Sequence, residues 1–175
     1  MNTCFSDHLV GDAAALLSEL RLRSLMLITA ESCTGGLVCG LLTEIPGSSA
    51  VLERGIVAYS NAAKSELLGV DTSVITRCGA VSEAVARAMA DGALARAPVD
   101  IAVSVTGIAG PEGGSVEKPV GLVYISVAHR GSATLCQEYR FGNLQRRTIR
   151  LASVREAVAM VRKKLVECPP AAPKA

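Results

Sequence analysis

Three short segments of this 175-residue sequence hold residue types able to do chemistry. The first is Ala30-Glu31-Ser32-Cys33-Thr34-Gly35-Gly36, where an apolar run from Leu25 to Ile28 gives way to a helix-like run from Leu37 to Ile45. Gly35 and Gly36 let another molecule approach the backbone. A helix start offers unpaired N–H groups that attract anions, and Ser32 and Thr34 add hydroxyls. A helix cap with a tight turn explains the same residues equally well. The second segment, Tyr59-Ser60-Asn61, is followed closely by Lys64. The third runs from Thr106 through Gly107 and Gly110 to Ser115 and carries four glycines.

Ser32 is a candidate nucleophile, and a neutral hydroxyl needs a base. His8 lies in an amphipathic N-terminal segment and His129 at a hairpin turn, which disfavours a Ser-His-Asp triad. Lys64 is the better base: a cation in the first turn of a helix opposes the helix dipole, and burial would add to that effect. A surface lysine is the plain alternative. Tyr59 can relay a proton or bind substrate, or simply pack with its hydroxyl at an edge. Cys33 is a rival nucleophile. Neighbours on an extended segment point to opposite sides, so Ser32 and Cys33 are not both expected to face one pocket.

The glycine-rich loop can turn several N–H groups toward an anion. It is neither a P-loop nor a dinucleotide fingerprint, because no Gly-Lys-Ser/Thr closes it and no helix clearly follows. Lys118-Pro119-Val120-Gly121 places a cation close to this loop. Arg146 and Arg150 stand four apart on one helix face and could hold a phosphate; a solvated face accounts for them as well.

The elements that must position these groups follow from periodicity. Residues 7–22 read as an amphipathic helix and 24–30 as a buried strand. Thr34–Ile45 reads as a helix, Val51–Tyr59 as a strand and Asn61–Leu68 as a short helix stopped by Gly69. Ser82 caps an Ala-rich helix running to Ala97. Asp100–Val105 reads as an apolar strand. Val120–Ala128 and Ser132–Phe141 form a hairpin turning at Arg130-Gly131. A last helix spans about Arg146–Val166. One domain over residues 1–167 is expected, with a disordered tail over 168–175. The alternation predicts an α/β fold, a three-layer α/β/α sandwich with a mixed, mainly parallel sheet of about five strands. Ligands in such sheets bind beyond the carboxyl ends of the parallel strands. Those ends fall at Ser32-Cys33-Thr34, Tyr59-Ser60-Asn61 and Thr106-Gly107, so one rim should gather all three.

Composition narrows the rest. Half the residues are hydrophobic but only 3% are aromatic, so the core is built from Leu, Val, Ile and Ala. A net charge of +2 argues against a nucleic-acid partner. No apolar run approaches the ~20 residues that cross a bilayer. Six cysteines are scattered without a CxxC pair, which disfavours a zinc site and suggests a reducing cytoplasm.

Six blocks, in order, resemble the CinA C-terminal domain family: Ala30–Gly36, Pro46-Gly47-Ser48-Ser49, Gly55–Lys64, Gly79-Ala80-Val81-Ser82, Thr106–Pro111 and Lys118–Gly121. The resemblance covers about residues 10–165. It implies a nicotinamide-nucleotide amidohydrolase that converts nicotinamide mononucleotide and water to nicotinate mononucleotide and ammonia. No metal or cofactor is implied, and a homo-oligomer, with a dimer favoured, is. Ser32 and Lys64 would act as nucleophile and base, with Tyr59 and Thr106 in the pocket; main-chain N–H groups around Thr34, Gly35 and Gly36 would stabilise the oxyanion. Longer family members carry an additional N-terminal domain, so this chain resembles the stand-alone form. Where the family often has Gly-Asp-Arg before the last helix, this chain has Asn143-Leu144-Gln145-Arg146. That leaves open which of Arg146 and Arg150 meets a phosphate. The alternative function is a non-catalytic nucleotide-binding or competence/damage-related regulatory module.

Overall fold

A computed structural model describes residues 4–168. Twelve elements follow in order, eleven of them the regular strands and helices that place the site: α1 (Asp7–Leu22), β1 (Leu27–Glu31), α2 (Leu37–Thr43), β2 (Leu52–Val57), α3 (Asn61–Leu68), α4 (Thr72–Cys78), α5 (Glu83–Ala95), β3 (Ile101–Gly107), β4 (Leu122–His129), β5 (Ser132–Arg140) and α6 (Arg146–Glu167). The twelfth is a single 3₁₀ turn, Ser48–Ala50. The strands form one sheet in the order β2-β1-β3-β4-β5. β1 pairs in parallel with β2 and β3, while β3–β4 and β4–β5 are antiparallel. Four strands therefore run one way, and β4 alone runs back.

Alternation along the strands divides the core into two faces. Leu27, Val103 and Val105 join α1, α2 and α6 on one side. Ile28, Ala30 and Ala102 join α3, α4 and α5 on the other. This is the expected three-layer sandwich, with a mixed sheet. Side-chain caps set several helix starts: Ser6, Ser60, Asp71 and Ser82 each accept an N–H from the first turn of α1, α3, α4 and α5.

The differences from the sequence reading are local. α2 begins at Leu37 rather than Thr34, because Gly35 and Gly36 take positive φ and delay the helix. β1 starts at Leu27 and extends through Glu31. β3 runs on through Thr106 and Gly107, whose partners on β4 are Tyr124 and Val123. α4 was not anticipated: its seven residues are too few for a clear apolar period, and its signal is the Asp71 cap. The expected tail lies outside the described residues from 169 onward. Cys168, placed in that tail, closes α6 by donating its N–H to Lys164 O.

Candidate active site

β2, β1 and β3 are parallel neighbours, so their carboxyl ends share one rim. A cavity of about 240 Å³ opens there, lined by Ser32, Cys33, Tyr59, Asn61, Lys64, Ala80, Val81, Thr106, Gly107, Ala109 and Arg146. All three strand ends read from the sequence contribute to it. Two larger hollows lie elsewhere on the surface, but neither contains a nucleophile paired with a base.

Ser32 follows the last residue of β1 and donates its main-chain N–H to Val105 O at 2.9 Å, which fixes it against β3. Lys64 sits in α3, one turn past the Ser60 cap. Its side chain is only 2% exposed. Nζ lies 3.0 Å from Ser32 Oγ and donates to Ala58 O at 3.2 Å. An ammonium has three donors, and among the described residues these two acceptors are the ones that reach it. Burial pushes its pKa below the ordinary lysine value, opposed by the nearby Cys33 sulfur. Loss of a proton from this amine would leave one N–H on Ala58 O and turn the lone pair toward the Ser32 hydroxyl. Ser32 and Lys64 touch directly, and the Tyr59 hydroxyl accepts from Arg146 Nη2 at 2.8 Å. Tyr59 remains a wall residue, 59% exposed at the mouth.

Cys33 also lines the cavity, contrary to the alternation argument, because the chain turns after Glu31 instead of continuing extended. Its thiol belongs to the core on the α2 side. Burial pushes its pKa up to about 12, which leaves a protonated and unreactive sulfur at neutral pH.

Two of the expected oxyanion donors, the N–H groups of Gly35 and Gly36, are already bonded within the protein, Gly36 to Glu31, a residue given no role above. Its carboxylate is 1% exposed and accepts N–H groups from Gly36 at 3.0 Å, Val38 at 3.0 Å and Cys39 at 2.9 Å. Gly35 N–H goes to Ser32 O. The start of α2 is therefore already occupied by an internal anion. An acidic residue five positions before a Gly-initiated helix was the available signal, and it is weak.

The two arginines also separate. Arg146 lines the cavity and donates to Gly110 O at 2.8 Å as well as to Tyr59. Arg150 turns inward and donates to Cys33 O at 3.1 Å and Thr34 O at 2.6 Å. It braces the loop that follows Ser32 and is not among the residues lining the cavity. Asn61, Thr106 and Gly107 are on the wall; Thr34, Gly35, Gly36 and Gly110 do not line the cavity. Thr106 Oγ1 donates to Ala80 O at 2.9 Å. Among the described residues no group of three or more His, Cys, Asp or Glu side chains could hold a metal ion, and no helix is long and apolar enough to cross a membrane.

Comparison with known proteins places this arrangement. The sequence model of the CinA C-terminal domain matches residues 12–165. A CinA-like protein of Syntrophus aciditrophicus is 48% identical over 162 residues, covering 93% of this chain and 38% of the relative. A putative competence-damage inducible protein of Caldicellulosiruptor bescii is 49% identical over 166 residues, covering 92% of this chain and 40% of the relative. The chain thus spans about two fifths of the length of these relatives. Among solved structures, the competence/damage inducible protein CihA from Agrobacterium tumefaciens superposes with a TM-score of 0.90 at 49% identity, covering 93% of this chain and 98% of that one. A CinA superfamily protein from Escherichia coli gives 0.86 at 32% identity, covering 92% and 94%.

Proposed function

The chain belongs to the CinA C-terminal domain family, and from that premise we propose that it is an amidohydrolase acting on the carboxamide of nicotinamide mononucleotide. The observation that carries the reading is the 3.0 Å contact between a buried lysine amine and Ser32 Oγ inside a polar cavity. That pair is the chemistry an acyl transfer needs.

In the first step Lys64, neutral, takes the Ser32 proton as Oγ bonds to the carboxamide carbon. The protonated amine then returns that proton to the departing nitrogen, and the C–N bond breaks to release ammonia. Water, deprotonated by the same amine, attacks the serine ester. The C–O bond to Ser32 breaks, nicotinate mononucleotide leaves and the serine proton is restored. A cavity of about 240 Å³ is smaller than the ~300–1,000 Å³ that encloses a drug-sized ligand. It suits the pyridine carboxamide end, with the rest of the nucleotide running out past Tyr59. Arg146, exposed and lining the cavity, is the arginine we assign to the phosphate. Such remote contacts hold the amide in position for attack. A cytoplasmic homodimer working in pyridine nucleotide salvage without a cofactor completes the proposal.

The test is ammonia release from nicotinamide mononucleotide, nicotinamide and glutamine measured side by side, with Ser32→Ala as control. The mononucleotide should be the preferred substrate, and Ser32→Ala should lose at least ~10³-fold in kcat. Tight nucleotide binding with no ammonia would instead identify a non-catalytic nucleotide-binding module.

A further inference from the structure

Two of the sequence blocks have no role in the chemistry above: Gly79-Ala80-Val81-Ser82, between α4 and α5, and Lys118-Pro119-Val120-Gly121, before β4. The fold brings them together. Lys118 Nζ donates to Cys78 O at 2.6 Å and to Val81 O at 2.8 Å, across 40 and 37 residues of sequence. Between those two carbonyls, Gly79 O accepts from Ser82 Oγ at 2.9 Å and Ala80 O from Thr106 Oγ1 at 2.9 Å. Four successive carbonyls, from Cys78 to Val81, are thus each held by a side chain. Ala80 and Val81 form one wall of the cavity that contains Ser32 and Lys64.

The backbone makes room for this clamp. Gly79 has φ +76 and ψ 154, a region essentially restricted to glycine. A Cβ there would stand 2.7 Å from Lys118 Nζ. Lys118 is anchored in turn. Its main-chain N–H donates to Ser115 Oγ at 3.0 Å, and its carbonyl accepts from Ser115 N at 2.8 Å. Gly121 N closes the base of the same loop on Ile108 O at 2.8 Å. Carbonyls fixed on one side of planar peptides fix where the opposite N–H groups point. The N–H groups of Ala80 and Val81 bond to no acceptor among the described residues, and both residues line the cavity.

We propose that Lys118 is a positioning residue for substrate binding, acting through the Cys78–Val81 wall. The inference rests on the amidase reading for its kinetic form. A wall that touches the bound pyridine ring contributes to the ground state and the transition state alike, so its loss appears in KM. Lys118→Met, with folding confirmed by circular dichroism, should raise KM for nicotinamide mononucleotide about tenfold and change kcat less than about threefold. The rising limb of kcat against pH should stay in place, because Lys118 does not touch Lys64. Lys118→Arg, which keeps a long donor, should recover part of the loss. A KM within twofold of wild type, or a displaced pH limb, would overturn the proposal. Amide hydrogen exchange supplies an arm independent of activity. In Lys118→Met, exchange at Gly79, whose N–H is held by Ile75 O at 2.8 Å, should accelerate at least tenfold while α3 and the Ser32 loop keep their wild-type rates. Unchanged exchange at Gly79 refutes the clamp even if the amidase reading holds. Faster exchange there in a protein that releases no ammonia would uphold the clamp and sink the amidase reading. Should Lys118→Met fold poorly, Lys118→Leu, which also removes the donor, replaces it in both measurements.

Discussion

Lys64 is where function works against stability. An amine 2% exposed is desolvated, and burial lowers its pKa in the folded chain. The unfolded value is near ~10.4. Between the two values the unfolded chain holds the extra proton, so stability rises with pH across that window. Below the folded value the penalty of burying a charge is fully present. Activity should follow the same titration: kcat should climb as Lys64 loses its proton, on a limb lying below the ordinary lysine range, and a flat profile between pH 6 and 10 would refute the base assignment. Lys64→Met should abolish ammonia release yet gain roughly 0.5–2 kcal/mol in urea unfolding at pH 7. Cys33 should behave oppositely to a catalytic thiol. With its pKa near 12, it should resist iodoacetamide at pH 8, and full activity should survive the treatment. Glu31 is the other residue with a measurable share. Glu31→Gln keeps the shape but removes the charge that three N–H groups of the α2 start surround, and should cost ~1–3 kcal/mol in the same unfolding assay.

Helix α3 carries Lys64, the proposed base, and its placement depends on α5. Gly92 lies inside α5, and a Cβ there would stand 1.8 Å from Leu68 O at the end of α3. Glycine is ~1 kcal/mol worse than alanine within a helix, so propensity alone predicts that Gly92→Ala stabilises. The packing predicts the reverse, because the close atom is backbone and α3 must move as a unit. Gly92→Ala should lower the unfolding midpoint and reduce kcat at least tenfold as Lys64 is drawn away from Ser32. Wild-type kcat with raised stability would show that the two helices yield more easily than their separation suggests. The same logic explains the short α2. Its glycine start delays the helix by one turn, and the turn so formed carries Ser32 past the end of β1.

For the molecule as a whole, the sheet order decides the location of the site. With β1 between β2 and β3 and all three parallel, their polar ends must meet, and the antiparallel β4–β5 pair extends the sheet away from them. β2 forms one edge; Val57 at its end and Tyr59 two residues beyond, the latter lining the cavity, are exposed. Light scattering after size exclusion should give twice the 18.1 kDa chain mass, and a monomer at micromolar concentration would exclude the proposed dimer. Apolar periodicity, glycine stops and Ser caps are local properties. They made the layer architecture, the shared rim and the Ser32, Lys64, Tyr59 and Thr106 candidates legible from the residues alone. The remaining assignments depend on where long side chains reach once distant segments are packed. Arg150 turns to carbonyls 116 and 117 positions away, Glu31 fills the α2 start that seemed open to substrate, and Lys118 crosses some 40 residues to the cavity wall. No spacing rule encodes those directions. They follow from the three-dimensional requirement that buried carbonyls and N–H groups find partners, which only the packed sandwich satisfies.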